Sequence, residues 1–182
     1  MKMLINRIAA SSAQPFILDD LKSHIRLSDD FDDAVITKMG YTAAAELEQF
    51  AQIALLTQTI RITIFDPDRD SGLWLPIGPV AADNLPIITF DGEVFTAFIF
   101  EAGNKPYIKW QMPYYDHHPS RITVEYQAGF GADAANIPHD LTQALMDQAA
   151  LHYDSQSPMD ARSLTTSPHR ARAGARFRGV QL

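Results

Sequence analysis

A few short stretches carry side chains whose types and spacing could do chemistry. Asp66-x-Asp68-x-Asp70-x-Gly72 alternates carboxylates as a calcium loop does, where they converge on one hard cation. The match fails further along. Ser71 stands where the sharp turn needs glycine, Ile77 stands where a bidentate glutamate belongs, and Pro67 restricts the second position. An acidic turn in solvent is expected there, with no metal. Asp116-His117-His118 sets imidazoles beside a carboxylate, the groups of an acid–base pair or a metal site. Adjacent histidines on a loop point apart, and no His-Glu-x-x-His spacing accompanies them, so a surface loop is expected. His139-Asp140 looks like half of a phosphohydrolase pair but falls in the first turn of a helix, where the dipole favours an acid. His152 falls on the apolar face of that helix and reads as a hydrogen-bonded core histidine. No serine sits in a Gly-x-Ser-x-Gly elbow, and no glycine motif of either phosphate-binding type occurs. There is no cysteine, hence no disulfide and no thiolate chemistry. The chain is expected to be no enzyme and to need no cofactor.

Two other groups of residues point to binding. Phe95, Phe98, Phe100, Tyr107, Trp110, Tyr114 and Tyr115 present more large apolar surface than a small hairpin easily hides. Val94, Thr96, Phe98 and Phe100 on one side, and Phe95, Ala97 and Ile99 on the other, would make one strand apolar on both faces. Such a strand is either buried twice within its own domain or part of a subunit or tail interface, where aromatics concentrate. Near the C-terminus stand Arg162, Arg170, Arg172, Arg176 and Arg178, with Phe177, Val180 and Leu182 as apolar anchors. The planar guanidinium fork suits carboxylate and phosphate alike. Nucleic acid, an acidic protein groove and a merely solvated chain end all remain open.

The elements that would position these residues follow from periodicity. A first helix is expected over about 19–27. Ser28-Asp29-Asp30 then breaks it and caps a second over about 31–54, whose stripe is Phe31, Val35, Met39, Ala43, Leu47, Phe50 and Ala54. Thr59 to Ile64 alternates with period two, the signature of a strand. Residues 66–86 are loop-rich, broken by Pro67, Gly72, Pro76, Gly78, Pro79 and Pro86. Asp91-Gly92 predicts a hairpin between 87–90 and 93–100, because both turn positions need positive φ. Short strands are expected over 106–110 and 122–127, the latter ended by Gly129 and Gly131. A third helix is expected over about 138–155, with Pro138 in its first turn and Leu141, Ala144, Leu145, Ala149 and His152 facing inward. The fold class is therefore α+β: a small helical bundle with a β-rich hairpin insert over about 56–127. Residues 1–159 read as a single domain, and 160–182, which lack periodicity, as an extended basic arm.

Composition bounds the function. The 182 residues, 46% hydrophobic and 20% charged, are ordinary for a soluble globular chain with one core. No apolar run is long enough to cross a bilayer, and the first ten residues do not read as a signal peptide. The net charge of −7 is unevenly spread. Residues 1–159 hold 10 basic and 21 acidic side chains, a balance of −11, whereas 160–182 hold five arginines and one aspartate, +4. An acidic body repels phosphate and is a poor general nucleic-acid binder; a basic tail suits another surface.

Taken in order, the segments resemble the phage head–tail connector family, the head-completion adaptors of long-tailed phages and gene transfer agents. Leu18-Asp19-Asp20-Leu21-Lys22-Ser23-His24-Ile25-Arg26 looks like the family's opening helix, and Asp29 to Ile36 like the acidic lead into its second. Ala54-Leu55-Leu56-Thr57-Gln58-Thr59 is similar to its helix-to-strand junction. Leu75-Pro76-x-x-Pro79-Val80 and Asp91-Gly92 match its proline loop and hairpin. Val124-x-Tyr126-x-Ala128-Gly129-Phe130-Gly131, then Ile137-Pro138 and a helix ending in Tyr153-Asp154, match its most recognisable stretch. Arg176-Phe177-Arg178-x-Val180-x-Leu182 resembles its closing arm. Departures occur at Ala51-Gln52-Ile53 and at 152–156. The resemblance implies a virion structural protein at the neck, present in the host cytoplasm during assembly. It implies a ring, dodecameric like the portal protein it docks beneath, that presents a surface to the next neck or tail protein (a stopper or tail terminator). DNA would pass through the lumen without sequence-specific binding, and no membrane is involved. Under this reading Arg162, Arg170, Arg172, Arg176, Phe177, Arg178, Val180 and Leu182 form the portal-docking arm. Phe95, Phe98, Phe100, Trp110, Tyr114 and Tyr115 form the candidate subunit or tail interface. The alternative is a nucleic-acid-binding accessory protein that uses the arginine tail.

Overall fold

A computed structural model describes residues 2–154 and 166–177. In chain order the elements are β1 (Lys2–Ala9), α1 (Leu18–Ile25), α2 (Asp33–Ala51), β2 (Gln58–Phe65), β3 (Gly72–Trp74), β4 (Ile87–Phe90), β5 (Glu93–Val94), β6 (Phe98–Glu101), β7 (Tyr107–Trp110), β8 (Arg121–Ala128), α3 (His139–Asp154) and α4 (Pro168–Phe177). The class is α+β, as expected. The chain divides into two compact units: Met1–Ser11 with Thr57–Gly129, and Ser12–Leu56 with Phe130–Leu182.

The first unit is built on antiparallel sheets. Among the described residues one sheet has the order β1-β2-β8-β4-β5 and a second has the order β3-β7-β6. The period-two alternation of β2 and β8 is realised in full: Gln58, Ile60, Ile62 and Ile64 are buried, as are Ile122, Val124, Tyr126 and Ala128 across the ladder. The hairpin forms at Asp91-Gly92, with φ of 50° and 101°, where only residues tolerant of the left-handed region fit at low cost. Asp91 adds a fastening that the turn pattern does not announce. Its carboxylate accepts from the Ser120 N–H (3.0 Å), the Ser120 hydroxyl (2.6 Å) and the Arg121 N–H (2.9 Å), tying the turn to the start of β8.

Two expectations for this unit need correction, and one strand forms where nothing was expected. The single strand predicted over 93–100 is broken into β5 and β6, which lie in different sheets. Its aromatics decide this: Phe95 turns inward to stack on Phe90 (ring centroids 4.1 Å apart), so the backbone cannot continue straight. β3 forms inside the stretch predicted as loop, pairing with β7. Residues 2–9, which show no clear alternation, pair along nearly the whole of β2.

The second unit is helical. α1 stops at Ile25 because Arg26 turns left-handed (φ 67°), and the N–H groups of Arg26 and Leu27 return to the carbonyls of Ser23 and Lys22. α2 is shorter than the predicted 31–54, and its buried stripe is rotated by about one position. Ile36, Gly40, Ala43, Ala44, Leu47 and Ala51 face the core; Phe31, ahead of the helix, is 93% exposed, and Val35 is exposed too. The cause lies in the acidic run. Asp30 and Asp33 do not cap the helix but clamp Lys22 of α1 at 2.6 and 2.7 Å. Hydrogen bonds to these two carboxylates hold the Lys22 ammonium well above the usual lysine range, and Lys22 holds Asp30 below the carboxylate range. That pairing fixes the start of α2 two residues late. At the other end Gln52 is left-handed (φ 56°), and the Glu48 side chain accepts the Leu55 N–H (2.7 Å). α3 begins at His139, within a residue of its prediction, and runs to the end of the described stretch at Asp154, burying Leu141, Ala144, Leu145, Gln148 and Ala149. With Phe16, Leu21, Ile53, Leu55 and Ala173, these residues make one core.

Two predictions follow. A Cβ at Gly40 would lie 2.6 Å from the Phe16 ring, so Gly40→Ala overpacks the seat of α2. Overpacking costs about 1–3 kcal/mol against a helix-propensity gain of about 1 kcal/mol. Denaturant unfolding is expected to show a net loss of up to roughly 2 kcal/mol. Asp91 is held below the usual carboxylate range, chiefly by the Ser120 hydroxyl and N–H. Its contribution is therefore present above the unfolded value of about 3.9 and lost as pH falls through the lowered folded value. Asp91→Ala should lower stability at neutral pH and flatten the acid limb of a stability–pH curve; an unchanged acid limb would count against this role.

Candidate assembly surfaces

The C-terminal stretch is not an extended arm over its described part. Residues 168–177 form α4, and the sequence explains it locally. Ser167 precedes Pro168, and proline in a first turn lacks the N–H that would otherwise go unpaired. The Ser167 carbonyl accepts from Ala171, while its own N–H bonds the Gln148 side chain (2.9 Å). Arg170, Ala173, Gly174 and Phe177 follow at steps of three, one and three, one helical face. Small residues on that face let α4 approach closely: a Cβ on Gly174 would meet Phe50 at 2.6 Å. That Ser-Pro start and small-residue spacing were the available signal. They were masked because Arg170, Arg172 and Arg176 dominate the composition while large apolar groups are almost absent.

One of the predicted docking cations, Arg170, is engaged within the chain. The Arg170 guanidinium bonds the Glu46 carboxylate and the Glu46 carbonyl, both at 3.1 Å, and lies over the Phe50 ring at 5.6 Å. Its side chain is 11% exposed. His169 Nδ1 meets Asp147 Oδ2 at 3.0 Å, and the other oxygen of Asp147 takes His24 Nε2 at the same distance. Glu46 in turn also faces His152 Nε2 at 3.2 Å. Arg176 reaches Asp140 at 3.7 Å from an exposed position, and Arg172 bonds the carbonyl of Pro168 within its own helix (3.4 Å). Phe177 packs edge-on to Phe130, with ring centroids 5.8 Å apart. Arg170 and Phe177 therefore act as internal anchors, since the body is acidic enough to draw the tail's charge onto itself. Arg162, Arg178, Val180 and Leu182 lie outside the described residues.

The aromatic group divides in the same way. Phe95, Trp110 and Tyr114 are buried and form one cluster with Phe90: Trp110 stacks on Tyr114 at 4.9 Å, and Phe90 meets both edge-on. The Tyr114 hydroxyl donates to the Asp68 carbonyl (2.9 Å), and burial pushes its pKa up. These three pack into the interior of the first unit. Phe98 and Phe100 are half-buried, and Tyr115 lies edge-on to Tyr114 at the boundary with solvent. Tyr115 is exposed, as are large apolar groups outside the predicted set, among them Leu4, Ile5, Ile8, Trp74, Leu85, Ile87, Val94 and Met112.

The residues weighed for catalysis are dispersed. His117 Nδ1 lies 2.7 Å from the Pro113 carbonyl, His118 sits against Arg69, and Asp140 accepts the N–H of Leu141. Among the described residues no three His, Asp or Glu side chains are grouped to hold a metal ion. No helix among them is long and apolar enough to cross a membrane.

No family model matches the chain, and no curated protein matches it. Solved structures do. A chain of the virion of a native gene transfer agent particle superposes with a TM-score of 0.76 at 23% identity, covering 98% of this chain and 97% of that one. A chain of the neck of a native particle computed with C12 symmetry gives 0.74 at 20% identity, and one of the neck of an empty particle computed with C6 symmetry gives 0.72 at 21%, both with the same coverage. The fold is thus that of a gene transfer agent particle chain over essentially its full length.

Removing the Arg170 side chain should expose the Glu46 contact and free α4. Hydrogen bonds to charged groups are worth roughly 1.5–3 kcal/mol, and the partial exposure of Glu46 discounts the upper end. Arg170→Ala is expected to lose about 1–2 kcal/mol in denaturant unfolding and to admit protease near residue 166; equal resistance to protease would show that the anchor is idle.

Proposed function

We propose that this chain is a virion structural protein of the neck, a head–tail connector subunit that acts by assembly. The observation that carries the reading is the superposition, end to end, on chains of gene transfer agent particles, two of them from necks. The superposition takes in 98% of this chain and 97% of that one. Copies form a ring beneath the portal protein and offer their other face to the next neck or tail protein. The C12 symmetry of one neighbour's neck supports a dodecamer. DNA passes through the ring from head to tail. A balance of −11 over residues 1–159 supports passage without retention, because an acidic wall repels phosphate.

Portal docking falls to the part of the tail that α4 does not absorb. Arg172 and Arg176 are exposed on α4, and Arg178, Val180 and Leu182 follow it. Many weak tail contacts, one per subunit, hold the joint through avidity. The nucleic-acid accessory alternative is weaker because the acidic balance of −11 over residues 1–159 repels phosphate.

Deletion of residues 178–182 tests the docking role. The truncated chain should unfold at the same midpoint as the full chain, since α4 is retained, but should no longer co-sediment with the portal protein of its particle. Undiminished co-sedimentation would remove the tail from the joint.

A further inference from the structure

The five-stranded sheet of the first unit has two open edges, and both are unusually apolar. At one edge β1 runs for eight residues with β2 as its one partner among the described residues. Natural edge strands are blunted by being short, by proline, by bulges or by charge in mid-strand. β1 has no proline, and its register shift comes only at Arg7/Ala9. Leu4 is 55% and Ile8 46% exposed, and Ile5 is exposed on the opposite face. At the other edge β5 spans two residues and pairs with Thr89 and Phe90 of β4, the Phe95 N–H adds a bond to the Ile88 carbonyl (2.9 Å), and Ile87 (62%), Val94 (70%) and Leu85 (68%) are exposed.

The charges at the two edges are opposite. β1 carries Lys2 and Arg7 and no acid; the β4–β5 hairpin carries Asp91 and Glu93 and no base. Pairing β1 with β1 of another copy sets like charges together in either direction: Lys2 near Arg7 if antiparallel, Lys2 on Lys2 if parallel. Like charges directly opposed across strands are destabilising. Pairing β1 with the β4–β5 edge sets bases against acids and covers both apolar rows. That contact is head-to-tail, and head-to-tail contacts generate rings when the rotation closes.

We infer that the subunit interface is a β-augmentation in which β1 of one copy adds to the β4–β5 edge of the next, so that the sheet runs on from subunit to subunit. The inference rests on the ring reading and names the surface that makes the ring.

The chain has no cysteine, so paired cysteines report the contact directly. Leu4→Cys with Val94→Cys in one chain, both at exposed sites, is assembled with the portal protein, imaged by negative-stain microscopy and treated with a short bismaleimide. Ile8→Cys with Ile87→Cys serves as a second pair should the first fail to fold. The expected result is rings and a ladder of covalent oligomers from the double variant, with no product from either single variant. Rings without a ladder, or dimers from Leu4→Cys alone, overturn the edge pairing and leave the ring reading in place. The absence of rings in the micrographs overturns both.

Discussion

Two carboxylates hold the helical unit together. Glu46 of α2 takes Arg170 from α4 and His152 from α3; Asp147 of α3 takes His24 from α1 and His169 from α4. Every helix of the unit meets one of these two acids through a cation or an imidazole. Partly exposed pairs of this kind contribute little singly. Here they share partners and sit beside the apolar seat of Ala173 and Gly174, so their geometry is fixed by packing as well as by charge. Without them α4 would have only two small residues and Phe177 to hold it.

This constraint changes what the basic tail can do. Charge counting treats 160–182 as +4 set against an acidic body, and a free arm is the simplest picture of such a split. In the folded chain Arg170 of α4 meets Glu46 and Arg176 lies 3.7 Å from Asp140, so part of that charge faces the body's own acids. What remains for a larger partner is a shorter, more apolar segment.

Much of the fold was legible because burial follows period. β2 and β8 alternate without error, and the β4–β5 turn needs the residues it has. α3 shows its stripe because Leu141, Leu145 and Ala149 have no competing pattern beside them. Elements failed to show where charge or backbone decides. α2 starts late because Asp30 and Asp33 bind Lys22, a contact between residues eight and eleven apart that no periodicity reveals. β1 is apolar on both faces at an edge, so it lacks alternation. α4 is held by glycine, alanine and an arginine, which propensity reads as an unstructured basic tail. Of the candidate site, the arginines and aromatics were found as residues but not as roles. Composition registers that Trp110 and Tyr114 are large; only the stacking with Phe90 and Phe95 shows them to be interior.

The most direct test is to locate the chain in purified particles by cryo-electron microscopy. Density that fits this fold should recur as a closed ring between portal and tail, with the lumen open to DNA. Particles complete with head, neck and tail but lacking that ring would contradict the account.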